Sequence, residues 1–265
     1  RIAEMPRSLA QKRIARAEEL AKAHVSVGEI LKFYAEVARL QGEMRARFAS
    51  RPWPLPGSGA LDVLALGAIF PKFIDQLAKK ATPQLKQAAT ELKNAGQEKW
   101  SALLCEEWQG SGQQFDLQIA FVCRAFLQPV AELAREQVQL SLKDYFERIC
   151  PFCARRPGVA VLRPEGDGAK RSLQCSFCLG EWNFRRIVCP SCGEEDNQKL
   201  PVYTAEEFDY IRVEACDTCK TYIKSVDLTK NGHAEPVVDE IASAALDVWA
   251  REHGYEKIEL NLMGM

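Results

Sequence analysis

The chain has 265 residues, room for roughly two domains, and 47% of them are hydrophobic, which suits a folded chain with a real core and excludes a disordered or low-complexity polymer. Thirty-five Lys and Arg against 36 Asp and Glu leave a net charge of -1, so no global basic field draws the protein to nucleic acid or anionic lipid. The longest uninterrupted apolar run, residues 63–70, falls far short of the about 20 residues that cross a bilayer, so no membrane insertion is expected.

From Pro6 to about Ser50 apolar residues recur at helical spacing, as at Ile30, Leu31, Tyr34, Val37 and Ala38, and the segment reads as two helices. Ser26 followed by Glu29 predicts a capping-box start for the second, with Val27 just inside it. Residues 51–59 hold three prolines and two glycines and read as a loop. Helical spacing resumes near Leu61 and runs to about Ile149, broken near Pro71, Thr82-Pro83, Gly96 and Gly110-Ser111-Gly112. The stretch from Phe115 to Ala134 is apolar on more than one face, the pattern of a central bundle helix, and Pro129 predicts a kink in it. Residues 1–149 therefore read as an all-α domain of about six helices, a structural scaffold.

Eight of the ten cysteines then fall into four Cys-x-x-Cys pairs: Cys150/Cys153, Cys175/Cys178, Cys189/Cys192 and Cys216/Cys219. Cysteines two residues apart can close a knuckle that points both sulfurs at one ion, and two knuckles fill a four-coordinate shell. The spacing C-x2-C-x21-C-x2-C is followed, ten residues on, by the near-copy C-x2-C-x23-C-x2-C. Each half opens on Cys-Pro-x-Cys after a branched residue, Ile149 or Val188; proline fixes the turn, and Gly193 lets the chain curl behind a sulfur. Extended runs at residues 171–174 and 210–215 precede the second knuckles, the latter with strand alternation. The expectation is two tandem metal ribbons, residues 150–186 and 187–230, and the matched halves favour sequential ligation over a crosswise arrangement.

Disulfides or redox dithiols would explain a lone pair, but four pairs at paired spacing, in a chain showing no secretion signal, favour metal and a cytoplasmic setting. A shell of four thiolates leaves no open coordination position, so the sites are expected to be structural or electron-carrying. It accepts zinc or iron, with zinc above ferrous iron in the affinity order. Cys105 and Cys123 sit singly in helical surroundings and read as core thiols.

Residues 231–265 close the chain. Residues 236–250 predict an amphipathic helix of about four turns, stopped by Gly254, and residues 258–262 alternate as a short strand or tail. The helix is expected to pack on the ribbons or to seal the all-α domain. His24, His233 and His253 have no neighbour at ligand spacing, and no phosphate loop, nucleophile elbow or dinucleotide fingerprint is present, so no catalytic residue is expected. The acidic runs Glu194-Glu195-Asp196 and Glu206-Glu207-Phe208-Asp209 read as solvated loops.

The cysteine region resembles the formate dehydrogenase accessory proteins known as FdhE. The resemblance rests on the Cys-Pro-x-Cys knuckle at Cys150, on Leu173-Gln174-Cys175-Ser176-Phe177-Cys178 running into Glu181-Trp182, on Arg186-x-x-Cys189-Pro190-Ser191-Cys192-Gly193, and on residues 212–227. Ala154 stands where glycine is expected. The resemblance implies a cytoplasmic, non-catalytic factor for maturing respiratory formate dehydrogenase that contacts its catalytic subunit. It implies rubredoxin-type iron at the two four-cysteine sites, with zinc as the alternative, and leaves a homodimer open. Two rivals are a rubredoxin-like electron carrier and a zinc-ribbon nucleic-acid-binding protein. The local balance of 13 Lys and Arg against 12 Asp and Glu over residues 148–230 weighs against the second, because thiolate sites would turn that balance acidic.

Overall fold

Ser8 opens the first helix with a reciprocal capping box: its hydroxyl accepts from the Gln11 N–H and its own N–H donates to the Gln11 side chain. The computed structural model describes residues 8–110 and 116–265, so Pro6, Ser111, Gly112 and Phe115 lie outside the described residues. Helix α1 (Leu9–Ala23) leads through a 3-10 turn at Val25–Val27 into α2 (Gly28–Phe48). The capping box expected at Ser26 and Glu29 does not form, because Ser26 lies within that turn and Val27 takes the cap position with no side-chain bond.

After the loop at residues 51–59 come α3 (Val63–Gly67), α4 (Phe70–Ala78), α5 (Pro83–Asn94), α6 (Gln97–Gln109) and α7 (Leu117–Glu136). Thr82 caps α5 with Pro83 in its first turn, and Gly96 (φ +87°) and Gly110 (φ +67°) bracket α6 in conformations that favour glycine. The described helices thus number seven before the cysteines rather than six, and helix ends at Glu136, leaving residues 137–149 without a helix. Helix α7 is long and apolar enough to cross a membrane by length and composition, yet it is the bundle's central helix, with residues 122, 123 and 125–134 buried.

Pro129 inside α7 lacks the N–H that would bond the Ala125 carbonyl one turn back. The Gln41 side chain of α2 donates to that carbonyl at 2.9 Å and to Gln128 at 3.1 Å, so a neighbouring helix satisfies what the proline frees. Glu132, one turn further on, accepts a bidentate pair from Arg13 at 2.9 and 3.1 Å.

The ribbons form one sheet. Strands β1 (Pro157–Glu165), β2 (Gly168–Cys175) and β3 (Glu181–Asn183) belong to the first half, and β4 (Val202–Thr204), β5 (Ile211–Cys216) and β6 (Thr221–Asp227) to the second. The order is β3-β2-β1-β6-β5-β4, with β1 and β6 paired in parallel across the seam and antiparallel pairing elsewhere along that path. The expected strands at residues 171–174 and 210–215 fall in β2 and β5, the second starting at Ile211.

The single C-terminal helix expected over residues 236–250 is instead two, α8 (Pro236–Ala242) and α9 (Ala244–Glu252), broken at Ser243. At the break stands Lys224, fully buried on β6, whose ammonium bonds the carbonyls of Glu240 and Ser243 and the Ser243 hydroxyl. Lys224 and Lys257 face Glu240 and Asp247, giving a buried square of two cations and two anions. Tyr222 and Asn261 donate to the two carboxylates at 2.7 and 2.6 Å. The tail pairs with β6 through β7 (Glu256–Lys257) and a bond from the Ile258 N–H to the Tyr222 carbonyl; of the strand or tail expected, residues 258–262 form the tail, with Ile258 and Leu262 buried. Helix α8 both meets the sheet and seals the helical part, where Arg16 of α1 bonds Asp239 at 2.6 Å and Tyr210 adds a bond to the same carboxylate at 2.8 Å.

Candidate metal centres

Each Cys-x-x-Cys turn is built on the same local rule. The residue after its second cysteine adopts a left-handed backbone: Ala154 (φ 56°), Leu179 (φ 53°), Gly193 (φ 85°) and Lys220 (φ 54°). Among the described residues these include every non-glycine with positive φ. The reversal brings the backbone back on itself: Cys150 N–H bonds the Arg155 carbonyl at 2.8 Å, Cys175 that of Gly180 at 2.8 Å, and Cys189 that of Glu194 at 2.9 Å. Amide groups then turn toward sulfur, with the N–H groups of Phe152, Phe177 and Ser191 each 3.4 Å from Cys150, Cys175 and Cys189. Such donors favour thiolates.

The four knuckles meet as sequential pairs. Cys150, Cys153, Cys175 and Cys178 converge in one group, and Cys189, Cys192, Cys216 and Cys219 in a second, each set of sulfurs lying within 4.8 Å of one another. Separations in the first are 3.5 Å (Cys150 to Cys178), 3.4 Å (Cys153 to Cys175) and 3.5 Å (Cys153 to Cys178). In the second they are 3.7 Å, from Cys189 to Cys219 and from Cys192 to Cys216. A tetrahedron with metal–sulfur bonds of about 2.3 Å has edges of about 3.8 Å, so either group could hold one ion, whereas a disulfide would need about 2 Å.

The thiols of the first group shift in opposite directions. Hydrogen bonds from Cys150, Cys175 and Cys178 push the Cys153 thiol far down, while burial drives Cys175 up and the shared sulfurs drive Cys178 up. Four thiolates side by side repel one another, and a divalent or trivalent ion would supply the opposing charge. Cys105 and Cys123 belong to neither group; burial raises the thiol of each.

The two centres differ in surroundings. The first is walled in by the helices, with none of its cysteines more than 7% exposed. Phe177 packs edge-on against Trp108 at 6.2 Å, and the Arg155 guanidinium lies 4.1 Å over the same ring while bonding Glu107 of α6 at 2.7 Å. The Trp182 indole donates to the Glu147 carbonyl at 2.8 Å, and a Cβ on Gly180 would come within 2.8 Å of Phe152 and Arg135, so only glycine permits this approach. The second centre lies at the rim: Cys192 is exposed and Cys219 partly so. Burial opposes ionisation of Cys219, but bonds from the Thr221 hydroxyl and N–H hold its thiol down at about 6. Glu194, expected as part of a solvated loop, ties the two knuckles together by accepting from the Thr218 hydroxyl at 2.6 Å.

His24 stacks on Phe208 at 5.1 Å and His253 on Trp249 at 4.1 Å; neither belongs to a sulfur group, nor does His233. Sequence reasoning missed the Lys224 square, although a lysine sharing strand parity with the buried Tyr222 and Val226 was the available signal.

Comparison with known proteins places these features in a family. Residues 149–186 match the model for FdhE, central domain, and residues 187–263 the model for FdhE, C-terminal domain. A protein named FdhE homolog from Aquifex aeolicus is 34% identical over 185 residues, covering 69% of this chain and 64% of its own length. One of the same name from Haemophilus influenzae strain PittEE is 26% identical over 274 residues, covering 97% of this chain and 88% of its own. The crystal structure of the FdhE protein from Pseudomonas aeruginosa shares the fold, with a TM-score of 0.73 at 24% identity, covering 98% of this chain and 97% of that one. Two contiguous family models over the cysteine region and relatives matched along nearly the whole chain lead to one conclusion: the chain belongs to the FdhE family.

Proposed function

We propose that this protein is a non-catalytic accessory factor in the maturation of respiratory formate dehydrogenase, binding its catalytic subunit in the cytoplasm. The observation that carries this reading is the pair of four-sulfur groups held on a sheet that is itself fixed to a helical platform. Cys150, Cys153, Cys175 and Cys178 hold one metal ion, and Cys189, Cys192, Cys216 and Cys219 the other, iron being the first choice and zinc the alternative. A bound ion supplies the charge that lets four thiolates coexist, and at the rim centre, if it is iron, a one-electron couple as well. The chain's own part is to hold a rigid surface against an immature client until its cofactors are in place. FdhE membership supports this role over the electron-carrier and nucleic-acid readings.

Two measurements test it. Metal analysis with visible spectroscopy of the oxidised protein should show two ions per chain, red with thiolate-to-iron bands if iron is native and colourless if zinc is. Immobilised metal-loaded protein should capture purified formate dehydrogenase catalytic subunit; a chain that captures none is not its accessory factor.

A further inference from the structure

Beside the rim centre opens a cleft of about 270 Å³ that no role above uses. Arg212 and Glu214 line it from β5, where they pair with Ser225 and Ile223 of β6. Cross-strand partners share a face, so this is the face opposite Lys224 and the C-terminal helices. Arg171 reaches in from β2, and Arg186 from the segment joining the two halves, so the cleft spans both ribbons.

Arginines dominate its charged side chains. Glu214 is already neutralised: one oxygen accepts from Arg171 at 2.6 and 2.9 Å, the other from Arg212 at 3.2 Å. Three arginines against one carboxylate leave two positive side-chain charges, offset by the negative charge that a four-thiolate centre including Cys189 and Cys216 keeps even with its ion bound. Among the described residues Nη1 of Arg212 and Nε and Nη1 of Arg186 have no hydrogen-bond partner. Apart from Cys189, Cys216 and Thr221 the remaining wall is apolar, including Val188, Leu200 and Ile258, and Ile187 and Val202 stand 53% exposed at the rim. Val202 lies on β4, the terminal strand of the sheet order, along which an extended segment can run.

We propose that this cleft receives an extended segment of the client protein in which a carboxylate side chain sits beside an aliphatic one. The carboxylate meets Arg186 and Arg212, planar donors matched to two oxygens, and the aliphatic group covers Ile187 and Val202. The proposal rests on the client reading above and says which part of the molecule does the recognising, and by what chemistry. Cys189 and Cys216 form part of the wall, so the segment docks against the loops of the rim centre and leaves the buried centre untouched.

The test uses the metal-loaded full chain and fluorescently labelled overlapping peptides that tile the formate dehydrogenase catalytic subunit, read by anisotropy. Bound peptides should carry Asp or Glu next to Leu, Ile or Val, and either Arg186→Glu or Val202→Glu should weaken them by at least about tenfold. Metal content and thermal midpoint report that each variant is folded; Val202 is the cross-strand partner of Glu214, so Val202→Glu also sets a second carboxylate beside the arginines that would meet the peptide. Binding of peptides without an acidic residue, binding by both variants as tight as by wild type, or no peptide binding overturns the cleft assignment. Intact catalytic subunit, captured in parallel, separates the two ideas: capture that both variants retain sinks the cleft alone, whereas no capture by the wild type sinks the client reading and the cleft with it.

Discussion

Pro129 and Gln41 show how a local defect is mended at a distance. The proline frees the Ala125 carbonyl inside the most buried helix of the bundle, and the Gln41 amide reaches it from α2. Gln41→Leu should therefore destabilise the fold by about 1–3 kcal/mol, the cost of a buried carbonyl left without a donor. If that is the cause, Pro129→Ala restores the helical N–H and Gln41→Leu costs much less in its presence; denaturant unfolding of the four combinations measures the coupling. The proline was legible in the sequence, but the donor that answers the carbonyl it frees was not, because 84 residues separate donor and acceptor. At the knuckles the reverse holds. The turn that places sulfur is set within five residues, and Ala154, Leu179 and Lys220 adopt left-handed backbone without glycine's freedom because the backbone bonds of each turn fix it.

At the scale of elements, the duplicated ribbons carry unequal centres. The first shares one hydrophobic core with the helices, through Trp108, Phe177 and Trp182, whereas the second meets solvent at Cys192 and Cys219. A strong chelator should strip the second centre first, and iodoacetamide with peptide mapping should label Cys192 and Cys219 before any cysteine of residues 150–178. Cys216→Ser should loosen its own ribbon and spare the helices; Cys150→Ser should also lower the helical unfolding midpoint, since it removes the cation from within their common core. Equal release from both centres would contradict the asymmetry. Matching Cys-Pro-x-Cys halves gave no hint of it: the cysteine spacings are near-copies, and the surfaces the two knuckle pairs meet differ.

For the whole molecule, the C-terminal segment acts as a clasp. Arg16 of the first helix grips Asp239, and the Lys224 square joins β6, α8, α9 and the tail. Burial opposes ionisation of Glu240, but Lys224 and Lys257 outweigh it and hold its carboxyl down at about 2, below the reference 4.5. A depressed folded-state value means stability present above the unfolded value and lost as pH falls through the folded one. Glu240→Gln should thus be less stable than wild type by about 3 kcal/mol near neutral pH, as breaking a buried pair implies. That deficit should narrow as pH drops from about 4.5 toward about 2. Taking the difference between the two proteins at each pH removes the acid loss of metal that both share. A deficit constant with pH would mean that the glutamate packs but carries no charge in the fold.

The sequence alone determined whatever depends on near neighbours: four knuckles, their duplication, the helical character of the first half, the proline-rich loop and the likeness to FdhE. Spacing within a few residues sets turn geometry and helical faces, so these can be read without knowing what they touch. Tertiary structure decided what depends on contacts between distant segments. The parallel seam between β1 and β6 makes two ribbons one sheet. The buried lysine meets the last helix where it breaks at Ser243, and the helices cover one centre while leaving its twin at the rim. Burial and charge pairing are properties of the assembled surface, and no period in the chain encodes which of two like segments will be covered.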